Sequence, residues 1–215
     1  MVDFIYQKEK GLSSKVCDKL IKNFNKSSKL HEEGVWLGLA KAKASGDKDL
    51  IKKERSNPIK ISTDICFNPS FQKTKKWGPT LSIVVDSLYG SLEDYFVRYK
   101  TNEFCGELEI YPFFNMQYYK PGEGYPHMHI ESGDLSTANR VITWMIYLNS
   151  VKQKGETAFP FQNVYCTPKK GKIVLWPASI THPHHGVVAP YEEKYILTGW
   201  FTYKRKNENK KGDKL

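Results

Sequence analysis

The stretch Gln117–Glu131, QYYKPGEGYPHMHIE, decides how the chain is read. Around its start, Phe113, Phe114, Met116, Tyr118 and Tyr119 supply the aromatic and apolar bulk of a strand. Lys120-Pro121-Gly122-Glu123-Gly124 then breaks that strand, since proline donates no hydrogen bond and glycine admits conformations other residues avoid. Beyond the break stands His129-Ile130-Glu131. In an extended segment residues i and i+2 face the same side, so this triplet presents an imidazole and a carboxylate together. These are two ligands of a metal site. The third is a distant histidine in Thr181-His182-Pro183-His184-His185-Gly186.

Two histidines and one carboxylate on one face of Fe(II) leave three positions open, the arrangement of non-haem iron oxygenases. A 2-oxo acid can chelate through two of them and dioxygen can take the third. Such a site also needs a cation for the far carboxylate of the oxo acid. Lys194 meets that need from inside the apolar run Lys194-Tyr195-Ile196-Leu197. An unpaired buried ammonium is costly, so a lysine there calls for an anionic partner. The distal ligand is ambiguous locally, because His182, His184 and His185 crowd one motif, and His127 shares a face with His129.

From Met116 to Tyr203 the chain resembles the Fe(II)/2-oxoglutarate-dependent dioxygenases, in their prolyl 4-hydroxylase-like branch. The resemblance rests on several elements in order. Tyr119 precedes His129-x-Glu131; then come Arg140-x-x-Thr143-x-x-x-Tyr147-Leu148-Asn149, Gly155-Glu156-Thr157-x-Phe159-Pro160 and Pro168-Lys169-Lys170-Gly171; His184, Lys194 and Trp200 close the series. It implies iron ligands at His129, Glu131 and His184, the last chosen for its ten-residue spacing to Lys194. It implies that Lys194 and Tyr147 hold the 5-carboxylate of 2-oxoglutarate, with Thr143 and Tyr119 lining that pocket. Trp200 is expected to face the active-site cavity and, with Arg140, to contact substrate. The family usually carries Asp where this chain has Glu131.

The cofactors implied are Fe(II), 2-oxoglutarate and O2, with ascorbate as an auxiliary reductant. The reaction implied is hydroxylation of an unactivated C–H bond, coupled to decarboxylation of 2-oxoglutarate to succinate. The substrate implied is a prolyl residue of a peptide or protein, ahead of a free small molecule. Core packing is the competing role for Thr143, Tyr147, Tyr119 and Trp200, and a structural role is the competing one for Arg140. A base oxygenase acting on nucleic acid and a jelly-roll binding module without catalysis are the competing functions.

The formal net charge of +10 invites the nucleic-acid reading, but its distribution weakens it. Residues 204–215 and 41–60 each carry an excess of four, so most of the charge sits in a tail and a surface segment. The tail KRKNENKKGDKL has almost no apolar residue, and disorder is expected there. The first residues lack the apolar run of a signal peptide, and no stretch approaches the roughly 18 apolar residues of a membrane span. Cys17, Cys66, Cys105 and Cys166 are widely spaced without a C-x-x-C pair, so free thiols in a reducing cytoplasm are expected.

One domain over residues 1–203 is expected, with a helical and loop support region (1–105) before a β core (106–203). Val16, Leu20, Ile21 and Phe24 recur at helical spacing behind Ser13 and Ser14, which can cap. Residues 41–56 read as an ordinary surface loop, with a mobile loop over the active site as the alternative, and Ile59–Ile65 alternates like a half-buried strand. Thr80–Tyr99 is the clearest helix, with an apolar stripe through Leu81, Val84, Leu88, Leu92 and Phe96. After Ile110 come short strands: Glu109–Tyr119, His127–Glu131, Arg140–Leu148, Glu156–Phe159, Ile173–Trp176, His184–Val188 and Lys194–Tyr203. Many short strands after helices predict a mainly β fold with N-terminal helices, a sandwich or a jelly roll. The resemblance sharpens this to a double-stranded β-helix.

Overall fold

A computed structural model describes residues 2–204, apart from the side chain of residue 37; the expected disordered tail therefore lies almost wholly outside the described residues. The elements run β1 (Tyr6–Lys8), α1 (Ser14–Asn25), β2 (Glu32–Glu33), α2 (Leu37–Ser45), α3 (Lys48–Ser56), β3 (Thr63–Phe67), α4 (Pro69–Gln72) and α5 (Gly78–Tyr99). They continue with β4 (Leu108–Ile110), β5 (Phe114–Tyr119), β6 (Arg140–Tyr147), β7 (Thr157–Phe159), β8 (Val164–Cys166), β9 (Ile173–Pro177), β10 (His185–Gly186) and β11 (Lys194–Tyr203). None of the described helices is long and apolar enough to cross a membrane.

Eight strands form the major sheet in the order β1-β9-β6-β11-β5-β3-β2, with β4 also pairing β11; β10-β7-β8 form a minor sheet. This is the expected jelly roll. The major sheet draws β1, β2 and β3 from the region expected to be helical support, so the N-terminal third helps build the sheet itself.

The period of two in each long strand sorts its side chains between two layers. On β6, Trp144 and Ile146 face the layer that holds α1 and α5; on β11, Tyr195, Leu197 and Phe201 do the same. There they meet Cys17, Leu20 and Phe24 of α1, and Leu81, Val84, Leu88, Leu92 and Tyr95 of α5. The opposite face carries Tyr119, Met145, Tyr147, Val174, Trp176 and Ile196, which pack on Phe159 and Cys166 of the minor sheet. Gly199 interrupts the first layer on β11 because a Cβ there would collide with the Trp144 ring and with Phe114.

The helix ends follow local chemistry. Ser13 caps α1 by accepting a hydrogen bond from the Val16 amide at 3.4 Å. Pro79 sits in the first turn of α5, where its missing N–H costs nothing. Lys100 ends that helix in the left-handed region.

Four expectations need correcting. Residues 41–56 are not a loop but the helical hairpin α2–α3. Gly46 turns the chain with φ +71°, and Asp47 caps α3 by accepting from the Asp49 and Leu50 amides. The Lys, Ala and Glu residues that read as a charged loop are strong helix formers. Likewise, His127–Glu131 is not a strand: it joins its neighbour through one isolated bridge between His129 and His184. The expected strand His184–Val188 shrinks to the two residues of β10, and the expected strand from Glu109 splits into β4 and β5.

Candidate metal centre and cofactor pocket

His129, Glu131 and His184 converge so that one donor atom from each lies within 4.8 Å of the others. The Nε2 atoms of His129 and His184 stand 3.7 and 3.5 Å from Oε1 of Glu131. Reciprocal backbone hydrogen bonds place the two histidines: each amide donates to the other's carbonyl, at 3.0 and 2.9 Å. The amides of Glu131 and Ser132 both donate to the Ala178 carbonyl. These bonds hold the ligand segment in place without a regular strand.

Each imidazole has one nitrogen committed. His129 Nδ1 lies 2.9 Å from the His127 carbonyl, and His184 Nδ1 lies 3.0 Å from the His182 carbonyl. A carbonyl can only accept, so Nδ1 carries the proton and Nε2 keeps its lone pair for a cation. Burial between Phe159 and Trp176 holds the His184 imidazole below its ordinary pKa, with Glu131 opposing, and so favours its neutral, ligating form. Burial pushes the Glu131 carboxyl up, but the two imidazoles outweigh it and hold the carboxyl well below the usual range. Two neutral imidazole nitrogens and one carboxylate oxygen fit a divalent iron.

The other two histidines of the distal motif do not reach the centre. His182 sits among the Thr181 hydroxyl and the Asp3 carbonyl, at 2.9 and 2.8 Å. His185 belongs to β10, where it pairs with Ala158. His127 is exposed.

The triad opens onto a cavity of about 420 Å³, within the range of small-molecule sites. Lys194 lines its wall and is 4% exposed. Its Nζ donates to the Gly155 carbonyl at 3.2 Å and lies 4.9 Å over the Tyr119 ring. It makes no ion pair among the described residues. Burial pushes its ammonium down to about 8, with Glu156 acting the other way. A buried cation held only by a carbonyl and a ring face is a receptor for an anion.

Of the remaining candidates, Tyr119, Arg140 and Trp200 line the cavity, whereas Tyr147 and Thr143 do not. The Tyr147 hydroxyl lies 2.6 Å from Thr157 Oγ1 and donates to the Cys166 carbonyl at 2.9 Å, tying the two sheets together. Thr143 is fully buried, its hydroxyl without a hydrogen-bond partner. The side chain between them on the same face, Met145, reaches the cavity instead. Tyr147→Phe should therefore lower stability by about 1–3 kcal/mol, because Thr157 and the Cys166 carbonyl are left unpaired. A loss of 2-oxoglutarate affinity with no fall in melting temperature would contradict this assignment.

Sequence reading missed Asn115, Gln117, Thr157 and Trp176 on the cavity wall. The signal for Asn115 and Gln117 was available, since they alternate with Tyr119 along β5 as Lys194, Ile196, Thr198 and Trp200 alternate along β11. It also missed that α2 and the preceding turn wall the mouth, through Val35, Trp36 and Ala40. Trp36 is anchored to α3 by donating to Glu54, and Lys41 pairs with Asp134 across the mouth at 3.0 Å.

Residues 114–202 match the family described as the 2OG-Fe(II) oxygenase superfamily, which contains all three ligands and Lys194. Further likenesses are to prolyl 4-hydroxylases. Over 43 residues it is 42% identical to prolyl 4-hydroxylase subunit alpha-1 of Gallus gallus and of Homo sapiens, a segment covering 20% of this chain and 8% of those proteins. The fold is similar to the viral collagen prolyl hydroxylase vCPH from Paramecium Bursaria Chlorella virus-1 in its 2OG complex (TM-score 0.62, 19% identity, 94% of this chain and 97% of that one). It is also similar to a prolyl hydroxylase from Trichoplax adhaerens in complex with a hypoxia inducible factor peptide fragment (TM-score 0.64, 17% identity, 94% and 84%). A third likeness is to a Pseudomonas putida prolyl-4-hydroxylase (TM-score 0.61, 16% identity, 95% of each chain).

Proposed function

We propose that the chain is an Fe(II)- and 2-oxoglutarate-dependent dioxygenase that hydroxylates a prolyl residue of a peptide or protein. One observation carries this reading: two imidazole Nε2 atoms and a carboxylate oxygen converge on a cavity whose wall also holds the ammonium of Lys194, which has no carboxylate partner among the described residues. His129, His184 and Glu131 would hold the iron. Bound there, iron supplies the activation of dioxygen that couples decarboxylation of 2-oxoglutarate, to succinate and CO2, with hydroxylation of a C–H bond.

The chain's own contribution is positional. Lys194 offers its charge to the distal carboxylate of the oxo acid, and the Tyr119 ring beneath the ammonium keeps that end dry. Trp176, Ile196 and Met145 supply apolar wall that excludes water. The mouth lies between α2 and the segment around Gly133, Ser136 and Thr137, where an extended peptide could enter. The peptide complex of the Trichoplax adhaerens neighbour supports a peptide substrate. We extend the proposal to a reducing, cytoplasmic setting, which the four free cysteines support.

The test is succinate formation from 2-oxoglutarate by anaerobically iron-loaded protein exposed to air, with and without proline-containing peptides. Iron-dependent turnover stimulated by such a peptide is expected. Absence of both turnover and iron-dependent 2-oxoglutarate binding would leave a jelly-roll binding module in its place.

A further inference from the structure

The two oxygens of Glu131 do different jobs. Oε1 faces both imidazoles. Oε2 points away from them and accepts a hydrogen bond from the indole Nε1 of Trp200 at 3.0 Å, with Arg140 Nη1 at 3.5 Å. Arg140 Nη1 also donates to the backbone carbonyl of Glu131 at 2.9 Å. The guanidinium itself lies 3.5 Å over the Trp200 ring. A stacked Arg–Trp pair thus grips one residue by its backbone and its side chain together.

We propose that Trp200 is a positioning residue for the metal centre, clamped by Arg140, and that it fixes the Glu131 carboxylate so that a single oxygen is presented to the cation. A glutamate has one more rotatable bond than an aspartate. Unrestrained, it could offer either oxygen or both, and binding would have to freeze that freedom. The indole donor removes the choice beforehand. Because β11 alternates, Lys194 and Trp200 share a face, so one strand carries both the anion receptor and the carboxylate brace. Groups that hydrogen-bond a metal-ligating carboxylate typically change metal affinity by about 10–100-fold when removed. The proposal rests on reading His129, Glu131 and His184 as a metal centre.

The test uses Co(II) as the probe and the full chain. Trp200→Phe keeps a ring beneath Arg140 and deletes only the donor. Its Co(II) dissociation constant should rise about tenfold or more. In a Glu131→Asp background the shorter side chain cannot serve both the imidazoles and the indole, so the same change should cost less than about twofold. On metal-free protein, the Trp200 indole N–H resonance, assigned by its loss in Trp200→Phe, should shift in Glu131→Asp.

Unchanged Co(II) affinity in Trp200→Phe, or an equal loss in both backgrounds, would overturn the brace. If Glu131→Asp binds no Co(II), the indole resonance decides: an unmoved signal overturns the proposal and a moved one supports it. A wild type that binds no Co(II) would instead strike the metal-centre reading, which is a separate failure.

Discussion

Replacing His184 with alanine is expected to abolish iron binding and iron-dependent 2-oxoglutarate turnover, while His182→Ala leaves both nearly intact. The two residues sit in one crowded motif, yet their surroundings differ completely. His184 directs Nε2 at Glu131, and its loss removes one of three donors outright. A fall in metal affinity of more than about 100-fold follows, beyond the upper end for groups that only support a ligand. His182 spends both nitrogens, on Thr181 and on the Asp3 carbonyl. What it gives the centre is its backbone carbonyl, which accepts from His184 Nδ1 and survives the substitution. His182→Ala should therefore cost about 1–3 kcal/mol of stability, for a lost buried network, without changing the ligand set. Metal titration together with thermal melting separates the two. Equal losses of metal affinity in both variants would defeat the assignment of the distal ligand.

The second large effect belongs to Lys194. Lys194→Met should abolish measurable 2-oxoglutarate binding and at the same time stabilise the ligand-free fold. The first part follows from removing one partner of a buried charge pair, roughly 2–5 kcal/mol of binding. The second follows from the cost of burying the ammonium. Its pKa falls from the ordinary 10.5 to about 8, which corresponds to roughly 3 kcal/mol held against the folded state at neutral pH.

The sign is fixed by which state holds the proton. Below about 8, lysine is charged in both states and the fold bears the full cost. Between about 8 and 10.5 the folded chain has released its proton while the unfolded chain retains it, so stability rises with pH through that window. Binding runs the opposite way, since the oxo acid needs the ammonium, and its affinity should fall as pH climbs past about 8. Calorimetric binding across pH 7–10, beside denaturant melts of wild type and variant, would expose both slopes. A Lys194→Met protein less stable than wild type would show that the residue is ordinary core.

The jelly roll and the two ends of the site were legible because both depend on local pattern. Strands announce themselves by alternation and turns by Pro and Gly; the spacing of His129 to Glu131 needs only an extended backbone. The α2–α3 hairpin was not legible as helix, because α2 has no apolar stripe, α3 buries no side chain, and the position of α2 beside the cavity comes from tertiary contacts. Nor could the role of Tyr147 be read. The even spacing of Thr143 and Tyr147 correctly gave one face of β6, but both side chains are buried off the cavity, Tyr147 through its bonds to Thr157 and Cys166 of the minor sheet, while Met145 between them reaches it. Arg140 and Trp200, read as substrate contacts, both reach Glu131. The bond from Trp200 to Glu131 joins residues 69 apart, and such a bond leaves no trace in periodicity.

The paired backbone bonds between His129 and His184 have a consequence for how this region breathes. Each residue closes a long excursion of the chain, and each amide is satisfied only by the other's carbonyl. Neither arm can fray while the other stays put, because one departure orphans both groups. Opening here is therefore a joint event, and the amide protons of His129 and His184 should exchange with deuterium at a common free energy, as one cooperative unit. Two stretches that look like independent surface loops are, in hydrogen-exchange terms, a single latch.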